Sequence, residues 1–206
     1  MAKEKVEKAA KAQPKTRKKT TDKWKKKAWY SVLAPAEFEN RVIGETISEK
    51  PETLMGRTVL ISGRDLANQP KKQHVQLKFR VIGTSGTSAN TEAVGHEIKD
   101  SYLRRVVRRR ASKIMSVKNY TSKDGRTFKV KIVIATERKA SQKQKASIRR
   151  KTEELAALII ADFDSKKVID ELVFGTVPNK IYPELKKIVP IKRIEITKSS
   201  LFLIKG

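Results

Sequence analysis

The amino-acid sequence predicts an α+β fold: a curved, mostly antiparallel β-sheet or barrel flanked by helices, with a disordered basic N-terminal tail. Two periodicities and one shift in composition lead there. Apolar residues alternate at every second position in two runs, 75–81 and 128–134, the pattern of half-buried strands, and shorter strand candidates lie between residues 42 and 120. From Ser141 onward they recur every three to four positions, the pattern of helices lying on a core. The first 27 residues carry twelve Lys/Arg and three Asp/Glu. Such a block has too little apolar surface to fold alone and orders only against counter-charge. The expected organisation is therefore a basic tail over 1–27, one α+β domain over 28–198 and a C-terminal tail over 199–206.

Each element has its own signal. Trp29, Tyr30, Val32 and Leu33 open the globular part, with Trp29 and Tyr30 read as anchors that fix where the tail leaves the core. Short strands are expected at 42–47, 58–62 and 93–98. Val75, Leu77, Phe79 and Val81 alternate with Gln76, Lys78, Arg80 and Ile82, a strand of period two. Gly83-Thr84-Ser85-Gly86-Thr87-Ser88 reads by composition as a mobile loop. Asp100-Ser101 caps a helix expected to reach Arg110, with Leu103, Val106 and Val107 on its apolar side. A strand at 113–120 and the alternating Phe128, Val130, Ile132 and Ile134 flank Asp124-Gly125, a favoured hairpin turn. A long helix follows over 141–163, with Ile148, Thr152, Leu155, Ile159 and Phe163 as its stripe. The next, 165–174, takes Ser165 as cap and turns Val168, Ile169, Leu172 and Val173 inward. The last helix spans 178–188 with Pro183 near its first turn, where a missing N–H costs least. A strand at 192–197 closes the domain.

Charge sets the class of partner. The chain has 206 residues, 48 Lys+Arg against 22 Asp+Glu, and a formal charge of +26. Leu, Ile, Val and Phe make up about a quarter of it, above the roughly one-fifth below which a charged chain stays unfolded. A real core is thus expected inside a cationic shell that repels itself unless a polyanion neutralises it. Nucleic acid does this best, because each neutralised phosphate also releases condensed counterions. A membrane surface would favour one amphipathic basic helix, whereas here the cations spread over tail, helices and strands. That spread suits a folded RNA, which presents phosphates on several sides. The absence of cysteine excludes disulfides, thiolate metal sites and cysteine nucleophiles. No apolar run approaches the ~18 residues of a membrane span, and the opening MAKEKVEKAA does not read as a secretory signal.

Three groups of residues are candidates for RNA contact. The tail supplies Lys18, Lys19, Lys23, Lys25, Lys26 and Lys27, with Trp24 placed among them to stack on a base. Arg104, Arg105, Arg108 and Arg109, with Arg110 beside them, are expected on one helix face, and no acid occurs between 101 and 120. Guanidinium forks match phosphate oxygens, and their planes stack on exposed bases. Lys139, Lys143, Lys145, Arg149 and Arg150, with Arg138 and Lys151, crowd the start of the long helix. Cations there oppose the helix macrodipole, so an external anion explains them better than local stability does. The plainer alternative for each group is a solvated charged face. No cofactor or metal site is expected: His74 and His96 have no ligand spacing, and Asp162 and Asp164 read as helix-end residues.

The run Lys27-Ala28-Trp29-Tyr30-Ser31-Val32-Leu33-Ala34-Pro35-Ala36-Glu37-Phe38, followed by Ile43-Gly44, resembles the opening of the S3Ae family of small-subunit ribosomal proteins shared by archaea and eukaryotes. Val117 to Gly125, the basic stretch 142–150 and Ile188-Val189-Pro190-Ile191-Lys192-Arg193-Ile194-Glu195-Ile196 are similar as well. Val189, where an aromatic is expected, and Pro183 depart from the pattern. The short length and C-terminus look archaeal. The resemblance implies a non-catalytic structural component of the small subunit, on its platform near the 3′ end of the RNA and the messenger exit. It implies small-subunit ribosomal RNA and neighbouring ribosomal proteins as partners, mRNA and initiation factors at the exit, and a cytoplasmic, ribosome-bound location. Two other classes remain open at this point: a chromatin-like DNA architectural protein and an RNA-modification factor.

Overall fold

The computed structural model describes residues 24–67, 70–174 and 177–202. Among them lie eight strands: β1 (Ala28–Leu33), β2 (Val42–Ser48), β3 (Thr58–Ser62), β4 (Val75–Ser85), β5 (Ser88–Ile98), β6 (Lys113–Thr121), β7 (Thr127–Thr136) and β8 (Ile191–Leu201). Five helices accompany them: α1 (Gly63–Ala67), α2 (Asp100–Val106), α3 (Gln142–Ala161), α4 (Ser165–Val173) and α5 (Val177–Lys186). The α+β class is as expected, and the sheet is open rather than closed into a barrel.

The sheet forks at β5. One side of β5 pairs with β4 along its whole length. The other side is shared: Ser88–Asn90 run parallel to Ser31–Leu33 of β1, and Gly95–Glu97 run antiparallel to Lys198–Ser200 of β8. One branch continues from β1 to β2, the other from β8 through β7 to β6. The β5–β8 approach is close enough that a Cβ on Gly95 would run into the carbonyl of Ser199, so only glycine fits there. Beside it His96 is fully buried, its backbone N–H and Nδ1 both 3.1 Å or less from Ser199 Oγ and its Nε2 2.8 Å from the carbonyl of Ile196.

The alternating residues of β4 and β7 bury Leu77, Phe79, Phe128, Val130, Ile132 and Ile134 in one core. Ile148, Ala156, Ile160, Ile169, Ile181 and Leu185 bring α3, α4 and α5 onto that same core. Fully burying an aliphatic side chain of this kind stabilises by about 1.5–3 kcal/mol, which is why these stripes decide where the helices lie. Val133 and Ala135 point to the opposite face of β7 and are buried too. On that face the Tyr102 hydroxyl of α2 donates to Glu195 Oε1 of β8 at 2.9 Å, and the Arg193 guanidinium sits 5.6 Å from the Tyr102 ring.

Several local expectations change. The stretch read as a mobile loop is the tip of a hairpin: Ser85 pairs with Ser88, and Gly86, at φ 58°, makes the turn. The small polar residues there serve a tight connection. β1 is a strand, with Tyr30 buried but Trp29 63% exposed, so of the two supposed anchors only Tyr30 packs inward. β5 starts five residues earlier than its apolar pattern suggests. β8 runs on through Ser199, Ser200 and Leu201, which a C-terminal tail from 199 would have left out. The helix expected to reach Arg110 ends at Val106, and Val107 is already extended. Two successive β-branched valines and a crowd of like charges both work against another helical turn.

Helix starts differ in how local their causes are. α3 opens with a capping box that the sequence reading did not include: the Ser141 hydroxyl accepts from Gln144 N, and Gln144 Oε1 accepts from Ser141 N. At α4 the cap position belongs to Asp164, while the Ser165 N–H donates to Asp124 Oδ2 in the β6–β7 turn at 2.8 Å. That bond and the exposed cations Arg126 and Lys123 hold the Asp124 carboxyl below its ordinary pKa. Pro183 lies inside α5 rather than in its first turn. The carbonyl that loses its partner is that of Asn179, an exposed residue.

Candidate nucleic-acid interface

The arginine group divides between two settings. Arg104 and Arg105 ride on α2, whereas Arg108, Arg109 and Arg110 occupy the turn that leads into β6, with Arg110 in the left-handed region at φ 67°. All five are exposed, and none forms an ion pair with a described carboxylate. They do not share one helix face, as the sequence suggests, because the helix stops too soon.

A buried polar node brings part of this group to the second one. The Ser112 N–H donates to Thr136 Oγ1 at 2.9 Å, and the Thr136 N–H donates back to the Ser112 carbonyl at 3.1 Å. Thr136 Oγ1 donates to the Arg138 carbonyl at 2.6 Å, and the Ala140 N–H donates to Ser112 Oγ at 3.0 Å. Thr136 is fully buried and Ser112 nearly so. In such a setting every donor needs a partner, so the backbone of 110–113 is pinned along that of 136–140. As a result Arg108, Arg109, Arg110 and exposed Lys113 share one end of the sheet with Arg138, Lys139 and the first turn of α3.

The rest of the second group extends along α3. Lys143 and Arg150 are exposed, Lys145 is half-buried, and none of the three pairs with a described carboxylate. Arg149 donates from Nε to the carbonyl of Met115 at 3.1 Å, blunting β6, an outer strand of the sheet. Lys151 belongs elsewhere, paired with Glu184 at 3.1 Å. In the tail, Lys18, Lys19 and Lys23 lie outside the described residues. Trp24, Lys25, Lys26 and Lys27 form an exposed turn in which Lys27 Nζ lies 4.4 Å from the Trp24 ring.

Residues considered for other chemistry have structural roles. Burial pushes the His96 imidazole down to about 4, the hydrogen bond to Ile196 opposing it, so it is a neutral core group near neutral pH. Asp164 and Asp162 flank the ends of α4 and α3. Among the described residues no group of acidic or histidine side chains is placed to hold a metal ion, and no helix is long and apolar enough to cross a membrane. Lys113 was not singled out in the sequence, although it directly follows the arginine run. Neither was Tyr102, three residues before Arg105 on α2, whose ring has the Arg105 guanidinium at 5.8 Å. An aromatic at that spacing from an arginine is a usable signal.

Comparison with known proteins identifies the lineage of this arrangement. The family model for the Ribosomal S3Ae family matches residues 15–203. The chain is 39% identical over 180 residues to the small ribosomal subunit protein eS1 of Methanococcus vannielii, covering 87% of this chain and 82% of that one. It is 34% identical over 190 residues to the protein of that name from Methanobrevibacter smithii, covering 92% and 98%. The one from Desulfurococcus amylolyticus is 35% identical over 183 residues, covering 89% and 86%. This match over nearly the whole chain leads to one conclusion: the chain belongs to the S3Ae family of ribosomal proteins, structural components of the small ribosomal subunit rather than enzymes.

Proposed function

We propose that the chain holds small-subunit ribosomal RNA through distributed phosphate contacts centred on the end of the sheet where Arg108–Arg110, Lys113, Arg138, Lys139 and Lys143 meet. Arg104 and Arg105 on α2, Lys145, Arg149 and Arg150 on α3 and the basic segment 1–27 extend that contact. The observation that carries this reading is the Ser112–Thr136 node, which fixes two cationic segments side by side with Glu137 as the one carboxylate within them and none of their Arg or Lys side chains in an ion pair with a described carboxylate. At 4 Å two like charges repel by about 1 kcal/mol in water and about 4 kcal/mol at an effective dielectric constant of 20. A fold that spends buried hydrogen bonds to gather them needs an external anion. Family membership supports a place on the platform near the 3′ end of the RNA and the messenger exit, in the cytoplasmic ribosome. Neighbouring ribosomal proteins, mRNA and initiation factors are the partners expected there.

Salt dependence tests the mechanism. Contacts to about 6–10 phosphates predict a loss of about 10³–10⁵ in affinity for ribosomal RNA between 50 and 200 mM salt. A slope equivalent to one or two phosphates would refute distributed binding. Duplex DNA bound as tightly as folded ribosomal RNA under the same conditions would favour a general architectural role instead.

A further inference from the structure

The S3Ae reading accounts for phosphate contacts, but one built feature lies beside them with a different chemistry. The turn Pro70–Lys72 and residues Gln73 and His74 pack against the start of α2. The Lys99 N–H donates to the His74 carbonyl at 2.9 Å, and the His74 and Tyr102 rings stack at 3.7 Å between centroids, 13° from parallel. Between them is a cavity of about 400 Å³ lined by Pro70, Gln73, His74, Lys99, Ser101, Tyr102 and Arg105. That volume lies within the roughly 300–1,000 Å³ of small-ligand sites. Tyr102 is held from behind, its hydroxyl on Glu195 and Glu195 in turn paired with Arg193 at 2.6 Å.

The geometry points to a nucleotide pocket: an unpaired RNA base stacks on the His74–Tyr102 pair, with its phosphates on Lys99 and Arg105. This rests on the RNA-binding reading above and adds recognition of a base to it. A ring stack serving only to pin α2 would be sealed by apolar side chains, whereas this one opens to exposed Gln73, Lys99, Ser101 and Arg105. Glu195 is already satisfied by Arg193 and Tyr102, and neither Lys99 nor Arg105 is paired with a described carboxylate. The amide of Gln73 and the hydroxyl of Ser101 supply both donors and acceptors, which a base edge requires. Burial is the main cause holding the His74 pKa below its usual value; Lys72, Arg193 and Arg105 add to this, and Glu195 opposes it. The ring is therefore mainly neutral near pH 7, as a flat stacking surface should be.

The full chain is titrated with adenosine 5′-monophosphate and, separately, with ribose 5-phosphate, observing the ring protons of His74 and Tyr102 by NMR. The expected result is a ring-current shift of both residues with the nucleotide and none with the sugar phosphate. Affinity is then measured for single-stranded oligoadenylate. His74→Ala should weaken binding by about 5- to 150-fold, the value of one base–aromatic stack. His74→Phe should retain it, and neither should alter the salt slope. Equal ring shifts with ribose 5-phosphate would overturn the base pocket in favour of a plain anion site. Unchanged oligoadenylate affinity in a folded His74→Ala would overturn it in favour of a structural pin. If His74→Ala does not fold, the nucleotide comparison on the unaltered chain still decides. A steep salt slope without ring shifts removes the pocket and leaves the phosphate reading standing; ring shifts with a shallow slope do the reverse.

Discussion

Replacing Thr136 by valine probes the node on which the proposed interface depends. Valine keeps the β-branched shape and removes only the hydroxyl. Thr136 is fully buried, and its Oγ1 is the acceptor for the Ser112 N–H at 2.9 Å and a donor to the Arg138 carbonyl at 2.6 Å. The carbonyl belongs to an exposed residue and can turn to water, but the Ser112 N–H is left buried without a partner. Leaving such a donor unsatisfied costs about 1–3 kcal/mol, or roughly 2–12 °C in melting temperature for a domain of this size. Urea unfolding should show a lower midpoint with an unchanged m-value. Thr136→Ser keeps the hydroxyl and should lose at most about 1 kcal/mol, the worth of a methyl group. RNA affinity of Thr136→Val should fall as well, because the 108–113 and 136–140 segments are no longer held in step. A Thr136→Val protein within about 0.5 kcal/mol of the parent, with unchanged RNA affinity, would refute the idea that this bond organises the interface.

Substituting Arg104, Arg105, Arg108 and Arg109 together by Gln should leave the urea midpoint nearly unchanged and reduce the salt slope of RNA binding by about 0.9 for each phosphate no longer neutralised; an unaltered slope would mean that these side chains only meet water. His96 makes stability depend on pH. Its folded pKa, about 4, lies below its unfolded value near 6.5, so the unfolded chain takes up the proton first. The stability is present above pH 6.5 and about 3 kcal/mol is lost as pH falls towards 4. An NMR titration placing the His96 transition near 6.5 would contradict this. Gly95→Ala drives a Cβ into the Ser199 carbonyl and should cost about 3 kcal/mol or more, read as a fall in urea midpoint, whereas Gly44→Ala, where a Cβ meets open space, should be much milder.

What could be read from the sequence was what depends on neighbours along the chain. β4 and β7 carry their alternation openly, whereas the Ser141 capping box, although written within four residues, went unread. β1 was harder because only Tyr30 and Val32 point inward, too short a pattern to separate a strand from two aromatic anchors. The end of α2 at Val106 depends on where residue 112 is pulled, and its partner Thr136 is 24 positions away. The same distance hid how the interface is assembled. Its cations were evident from composition, but nothing local says that Arg110 and Lys139 share one end of the sheet. His74 gave no sign either, since the ring that stacks on it lies 28 positions further on.

The forked sheet has a consequence for how the molecule is made. β8 comes after every other described strand in the chain, yet it lies between β5 and β7. During synthesis the earlier hairpins β4–β5 and β6–β7 can each form while still separate, but the seam between them stays open until β8 arrives. Until then the facing edges of β5 and β7 are unpaired, a state prone to sticking, and pairings of such long sequence separation close slowly. A nascent chain of this topology therefore completes its fold late, and a chaperone or the waiting polynucleotide has a defined interval in which to shield it.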